Sequence, residues 1–327
     1  MKYVTPLFQR GQVDRAGRNL ADGNVQLHDC NGLLVDDVTI INNWRAAHSF
    51  PLNSFHVTLR ARARKVDSKA LTAQRIKRLS SIEAKLRRFA DMQLSRMHDI
   101  GGARAVVSTV NAVRRLVSIY MKSAKRNPGR TELAKEYDYI THPKDDGYRC
   151  VHLVFRYRSD AKRHAPYSGL RIELQLRSQL QHTWATAVET EGTFIGQALK
   201  SSQGEDKWLR FFALMSSYIA TKERSPLVAK TPGDLTALRR ELSQSVDELE
   251  VIKHLDLYAA AIDAPQKIGA RKNQHYFLLV LDTSQRRITV TGYKEDELKK
   301  ANTQYLAIER EILAGKVKQD AVLVSVK

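Results

Sequence analysis

The 327 residues carry 54 Lys and Arg against 35 Asp and Glu, a net charge of +19. A content of 43% hydrophobic and 27% charged residues belongs to one or two folded domains rather than to a disordered chain, and no run of about 18 apolar residues is present to span a membrane. Two cysteines, Cys30 and Cys150, exclude a disulfide framework, and the N-terminus lacks the apolar stretch of a secretory leader, so a cytoplasmic setting is expected.

Residues 5–48 read as mostly helical, with polar turns at Asp22-Gly23-Asn24 and Asn31-Gly32. The chain is expected to break at Pro51 and to form a short strand over His56 to Arg60. Leu79 to Arg88 has the spacing of an amphipathic helix with Ser80 or Ser81 near its N-cap. Ala103 to Val110 is short, apolar and rich in valine, a buried strand. Helical spacing returns from Asn111 to Lys125 and ends at Asn127-Pro128-Gly129. Val151 to Tyr157 and Arg171 to Arg177 are strands; in the second, Ile172, Leu174 and Leu176 alternate with Glu173, Gln175 and Arg177. A helix follows from Ser178 to about Leu199. Beyond it, residues 207–222 and 233–260 read as helical, with a Pro-bearing linker over Ser225 to Thr231. A hairpin (Tyr276 to Leu281, Arg287 to Thr291), a helix over Glu295 to Ala314 and a strand over Ala321 to Val326 complete the order. The fold class expected is therefore α/β or α+β: a mixed β-sheet flanked by helices, with a smaller C-terminal α+β domain.

The charge is uneven. Residues 1–200 hold 34 Lys and Arg against 18 Asp and Glu, whereas residues 201–327 hold 20 against 17. An excess of that kind in the first part points to polyanionic partners, nucleotides or RNA. Four segments there carry groups suited to phosphate chemistry. Arg75 to Lys85 lies in a basic stretch, and Ser81 and Lys85, four apart, share a helix face that suits phosphate oxygens. His98-Asp99-Ile100-Gly101-Gly102-Ala103-Arg104 pairs glycines, which permit a tight turn and close approach of a ligand, with Asp99, a ligand for a hard cation such as Mg²⁺. In Asp138 to His152, Tyr148 offers a ring for a base while Lys144 and His152 offer donors for its phosphates; Cys150 beside His152 makes a poor nucleophile pair. On the strand Glu173-Leu174-Gln175-Leu176-Arg177, Glu173 is a metal ligand or general base.

In this order the segments resemble the synthetase domain of RelA/SpoT alarmone synthetases, over roughly residues 50–195. The pattern R-x-K-x-x-x-S-I-x-x-K is met at Arg75, Lys77, Ser81, Ile82 and Lys85, and D-I-x-G-x-R at Asp99, Ile100, Gly102 and Arg104. The loop pattern Y-I-x-x-P-K-x-x-G-Y-R-x-x-H is met at Tyr139, Ile140, Pro143, Lys144, Gly147, Tyr148, Arg149 and His152. Finally, E-x-Q-x-R is met at Glu173, Gln175 and Arg177, followed by Trp184, Ala185 and Glu189. Tyr137 stands where the family commonly has lysine, Cys150 where it has serine, and Thr190 where it often has histidine.

The resemblance implies a nucleotidyltransferase-like domain over residues 51–205, preceded by a helical segment (1–50) and followed by a regulatory or oligomerisation region (206–327). It implies an ATP-dependent pyrophosphokinase that transfers the β,γ-pyrophosphate of ATP to the 3′-hydroxyl of a guanosine nucleotide, with Mg²⁺ held by Asp99 and Glu173. Arg75 and Arg104 then stack on the adenine, and Lys77, Ser81 and Lys85 hold the ATP phosphates. Lys144, Tyr148, His152, Gln175 and Arg177 take the acceptor. A toxic relative acting on the 3′ end of tRNA is the alternative acceptor reading, and a non-catalytic RNA-binding module the alternative of another class. A C-terminal region that restrains the enzyme until a phage or other protein trigger arrives, or that builds a homo-oligomer, is also implied; hydrolysis of alarmone is not.

Overall fold

A computed structural model describes residues 3–30, 33–126, 131–194, 206–252, 274–282, 287–314, 317 and 319–325. The expected turns at 31–32 and 127–129, the end of the helix expected over 178–199 and residues 253–260 lie outside them.

The chain divides into two units, Met1–Trp184 with Ile219–Lys230, and Ala185–Tyr218 with Thr231–Lys327. The first is built on a five-stranded mixed sheet of β3 (Leu71–Ile76), β4 (Gly101–Val107), β5 (Thr131–Asp138), β6 (Val151–Tyr157) and β7 (Arg171–Ser178) in the order β3-β4-β7-β6-β5. Only β4 and β7 run parallel; the other neighbours are antiparallel. Helices α3 (Ser49–Val66) and α5 (Val110–Arg126) pack on this sheet and on each other. Their apolar residues, among them Leu52, Phe55, Leu59, Val113 and Leu116, are buried along with Leu153, Phe155, Ile172, Leu174 and Leu176 of the strands. Helix α1 (Arg10–Ala21) packs against α2 (Asp37–Ala47), α4 (Leu79–Arg88) and the short 3-10 turn Leu94–Arg96.

Two expectations near the start fail. His56 to Arg60 is helical, within α3, because Leu52, Phe55, Leu59 and Ala63 recur at helical spacing and all are buried. Pro51 does not break the chain; it is the third residue of α3, in a first turn whose amide hydrogens have no intrahelical acceptor. The segment read as mostly helical also contains a hairpin, β1 (Leu27–Cys30) against β2 (Leu33–Asp36).

Helix α6 spans Gln179–Phe194 and α7 spans Asp206–Glu223, with residues from Ile219 onward counted in the first unit; α8 (Leu235–Glu248) lies in the second. Arg210 on α7 donates to both carboxylate oxygens of Glu241 on α8, at 2.7 and 2.9 Å. A three-stranded antiparallel sheet, β10 (Gln319–Ser325), β8 (Tyr276–Asp282) and β9 (Arg287–Tyr293) in that order, packs with α9 (Leu298–Leu313) around Leu278, Tyr293 and Ala301. The expected ββαβ order is present.

Candidate active site

The strand registers align polar residues in rungs across one face of the five-stranded sheet. Residues directly opposite in neighbouring strands share a face, and rungs two residues apart lie about 7 Å from one another. One rung reads Arg75, Gly102, Glu173, Val154, Lys135; the next reads Ala73, Arg104, Gln175, His152, Tyr137. Four different strands thus bring Arg75, Arg104, Glu173, Gln175 and His152 to one place, although up to 100 residues separate them in the chain.

Arg75, Asp99, Gly102, Arg104, Glu173 and Gln175 line one cavity of about 100 Å³. The glycines do not form a tight turn, as the sequence suggests. Both lie in β4, and among the described residues the glycines with positive φ are Gly23, Gly147 and Gly169. Each has another use. A Cβ on Gly101 would lie 2.8 Å from Ile172 Cδ1, so the core excludes one, while a Cβ on Gly102 would meet nothing within 4 Å. Gly102 therefore leaves open space on the face beside Glu173.

Asp99 sits in the turn before β4. Its Oδ2 accepts from Lys77 Nζ at 2.9 Å and its Oδ1 from Lys85 Nζ at 2.9 Å. Burial alone would raise the Asp99 carboxyl, but the two ammonium groups outweigh it and hold the carboxyl well below its usual range. Lys77 is itself lowered by burial, against the pull of Asp99. Its backbone is fixed on both sides: Lys77 N donates to Ile100 O at 2.8 Å, and Arg45 Nε donates to Lys77 O at 2.9 Å. Lys85 is carried by α4, whose Leu79, Ile82 and Leu86 are buried. The same helix holds Ser81 one turn earlier; its N-cap is Arg78, whose side chain makes no capping bond.

Glu173 is buried, with 7% of its surface exposed, on the face that the alternation of β7 would also allow to be simple solvent surface. Its Oε1 pairs with His152 Nδ1 at 2.9 Å and its Oε2 accepts from Gln175 Nε2 at 2.7 Å. Burial pushes the Glu173 carboxyl up, but His152 more than reverses this and the carboxyl lies below its ordinary value. Burial would also neutralise His152, yet the Cys150 thiol and the Glu173 carboxylate beside it push the imidazole up to about 10. His152 Nε2 lies 2.8 Å from the hydroxyl of Tyr148. Arg177, buried to 2% exposure, donates to Gln175 Oε1 at 3.0 Å. Lys144, exposed on the loop before β6, places Nζ 4.7 Å from the Tyr139 ring centroid and 5.2 Å from that of Tyr148.

Two hydrogen-bonded sets thus reach the cavity: Asp99, which lines it, with Lys77 and Lys85 behind it, and Glu173 and Gln175, which line it, with His152, Tyr148 and Arg177 behind them. Sequence reasoning missed Tyr139 and His98 as site residues and gave Tyr137 only as a departure. The Tyr137 and Tyr139 rings stack with centroids 5.9 Å apart and planes 5° from parallel. Tyr137 lies near the end of β5 and Tyr139 in the turn just after it; the Tyr-x-Tyr spacing itself was a usable signal. His98 is lowered first by burial and then by the charges of Arg171, Lys135 and Lys85, with Glu173 opposing. Among the described residues no group of three or more His, Cys, Asp and Glu is placed to hold a metal ion, so the pair Asp99 and Glu173 offers an incomplete coordination shell.

Residues 74–194 match the family described as the region found in RelA/SpoT proteins. GTP pyrophosphokinase YwaC of Bacillus subtilis (strain 168) is 28% identical over 120 residues, 35% of this chain and 54% of that protein, so the chain spans about half the length of the curated relative it matches. Among solved structures, small alarmone synthetase 1 from Bacillus subtilis bound to its product pppGpp is 20% identical, with a TM-score of 0.47 over 56% of this chain and 92% of that one. A GTP pyrophosphokinase family protein from Streptococcus pneumoniae is 23% identical, with a TM-score of 0.42 over 53% and 84%.

Proposed function

We propose that the chain is an ATP-dependent pyrophosphokinase that makes an alarmone of the (p)ppGpp type. The observation that carries this reading is the cavity that Asp99 and Glu173 line together with Arg75 and Arg104. The acceptor's 3′-hydroxyl oxygen attacks the β-phosphorus of ATP, the bond from that phosphorus to the oxygen bridging the α-phosphate breaks, and AMP leaves. The hydroxyl proton passes to Glu173, which is ionised at neutral pH because His152 holds it. Charge spreads over the transferred oxygens as this happens, and preplaced cations lower the barrier. Lys77 and Lys85 supply two, released from Asp99 toward the ATP phosphates. Arg75 and Arg104 present planar guanidinium groups that suit the adenine face, and Tyr148 presents a ring to the acceptor base.

The donor set fits Mg²⁺. A hard cation that keeps several waters and takes one or two carboxylates with substrate phosphates needs no more protein ligands than Asp99 and Glu173. Bound there, it would neutralise charge developing on the transferred group.

One observation favours a second acceptor, the 3′ end of an RNA such as tRNA. Tyr137, in place of a lysine, stacks on Tyr139 and extends the aromatic surface beyond Tyr148, as successive unpaired bases require. Incubation with ATP labelled at the γ-phosphate, Mg²⁺ and GDP, GTP or bulk tRNA separates the two. Label in a guanosine nucleotide supports the first reading and label in RNA the second. No labelled product with any acceptor contradicts both.

A further inference from the structure

The five-stranded sheet has a second face, away from the candidate active site. On β6, His152 and Val154 belong to the rungs of that site, so Phe155 and Tyr157, out of phase with them, point to the side that α3 and α5 cover. A cavity of about 380 Å³ lies on that side. Phe55 and Arg62 of α3, Tyr120 and Ser123 of α5, and Phe155 and Tyr157 of β6 stand in its walls, all within the first unit. Its size falls within the roughly 300–1,000 Å³ typical of small-molecule sites.

The walls combine fixed rings with donors. Phe155 stacks on Phe55 with centroids 5.4 Å apart and planes 29° from parallel, and its centroid lies 5.8 Å from that of Tyr120. All three rings are buried. Arg62 places its guanidinium carbon 4.5 Å from the Tyr120 centroid and donates to Ser123 Oγ at 2.8 Å. It has no carboxylate partner among the described residues, and a guanidinium has five N–H groups to place. The Tyr120 hydroxyl is buried and finds no acceptor for its proton among the described residues. Burial, opposed by the charge of Arg62, raises the phenol above its ordinary value and keeps it a donor. Two further charged groups, Arg158 and Asp160, stand exposed in the walls, and Arg158 is paired with Glu132 at 2.6 Å. A cation and a hydroxyl beside aromatic rings both call for an acceptor oxygen.

We propose that this cavity is a second ligand site, for a small planar aromatic carboxylate. The ring of the ligand packs against Phe55, Tyr120 and Phe155, and its carboxylate accepts from Arg62 and from the Tyr120 hydroxyl. Charge selects the class. Arg62 is a single cation without an acidic partner, and Asp160 stands in the same walls, so a monoanion is favoured over a nucleotide, whose phosphates would bring more negative charge toward that carboxylate. The site lies on the opposite face of β6 from His152 and does not depend on the pyrophosphokinase reading.

The test is equilibrium binding to the full chain of 2-naphthoate, of its neutral analogue 2-naphthalenemethanol and of GMP, with denaturant unfolding followed for each variant. The wild type is expected to bind 2-naphthoate saturably, with a Kd below about 1 mM, and to bind the alcohol and GMP about tenfold more weakly or worse. Arg62→Gln and Tyr120→Phe, the second removing a single oxygen, should each weaken 2-naphthoate about tenfold and leave the alcohol within about twofold. Arg60→Gln, an exposed charge on the same helix, should change nothing, and saturating ATP with Mg²⁺ should not displace the ligand. If Arg62→Gln lowers the unfolding midpoint, Tyr120→Phe decides. The inference is overturned by any of four results: no saturable binding of 2-naphthoate, equal or tighter binding of the alcohol or GMP, binding that Tyr120→Phe leaves unchanged, or displacement by ATP.

Discussion

His152 and Glu173 set the chemistry of the site through one hydrogen bond and two opposed shifts. His152 is raised to about 10, above the ordinary value of about 6.5 for an unfolded chain. Its contribution to stability is therefore complete below about pH 6.5 and is lost as pH rises through about 10. Glu173 and Asp99 are depressed, so theirs is present above the unfolded carboxylate range, about pH 4, and is lost as pH falls through their folded values. A stability plateau between these limits is expected, with His152→Gln removing the alkaline decline. Histidine NMR titration checks it: the His152 ring should remain charged at about pH 8, and a ring already neutral at pH 7 contradicts the pairing. At this scale the sequence was informative, since Glu173, Gln175 and Arg177 are one face of an alternating strand. What it did not show is that this face is buried, because a sheet's polar face and a closed site have the same period.

The elements that carry the cations were unevenly legible. Helix α4 was readable to the residue from its apolar spacing, and β4, β6 and β7 from their apolar content. The edge strands β3 and β5 were not, because they alternate poorly and none of their described residues is fully buried; they are strands only by pairing with β4 and β6. The helix assigned to β-like His56 to Arg60 shows the converse, burial overriding β-branched content. Ile82 anchors α4 with no exposed surface. Ile82→Ala is expected to cost about 2–5 kcal/mol in denaturant unfolding and, by loosening the helix that carries Lys85, to raise the KM for ATP. A variant that unfolds at the wild-type denaturant concentration would contradict the anchoring role.

For the molecule as a whole, charge asymmetry and motif order pointed to the first part as the one suited to phosphate chemistry but gave no function for the region after about residue 205. The strands and helix expected there are present, yet their core of Leu278, Tyr293 and Ala301 describes packing, not chemistry. We propose that this region regulates the enzyme. Residues 219–230 belong with the first unit, and Glu223 accepts from Gln181 Nε2 at 2.8 Å and from Ser178 Oγ, so a truncation should end after Lys230 rather than near 205. Growth arrest on expression of residues 1–230, absent with the full chain, is the result expected of a restraining C-terminal region; equal growth with both contradicts restraint.

The most direct measurement is the rate of pyrophosphate transfer from γ-labelled ATP by the wild-type chain, Asp99→Asn and Glu173→Gln, with unfolding followed in parallel. Convergence of the two carboxylates on one reacting centre requires each substitution to slow transfer on the order of 10²-fold or more while the protein stays folded. Near-normal transfer by either folded variant would contradict it.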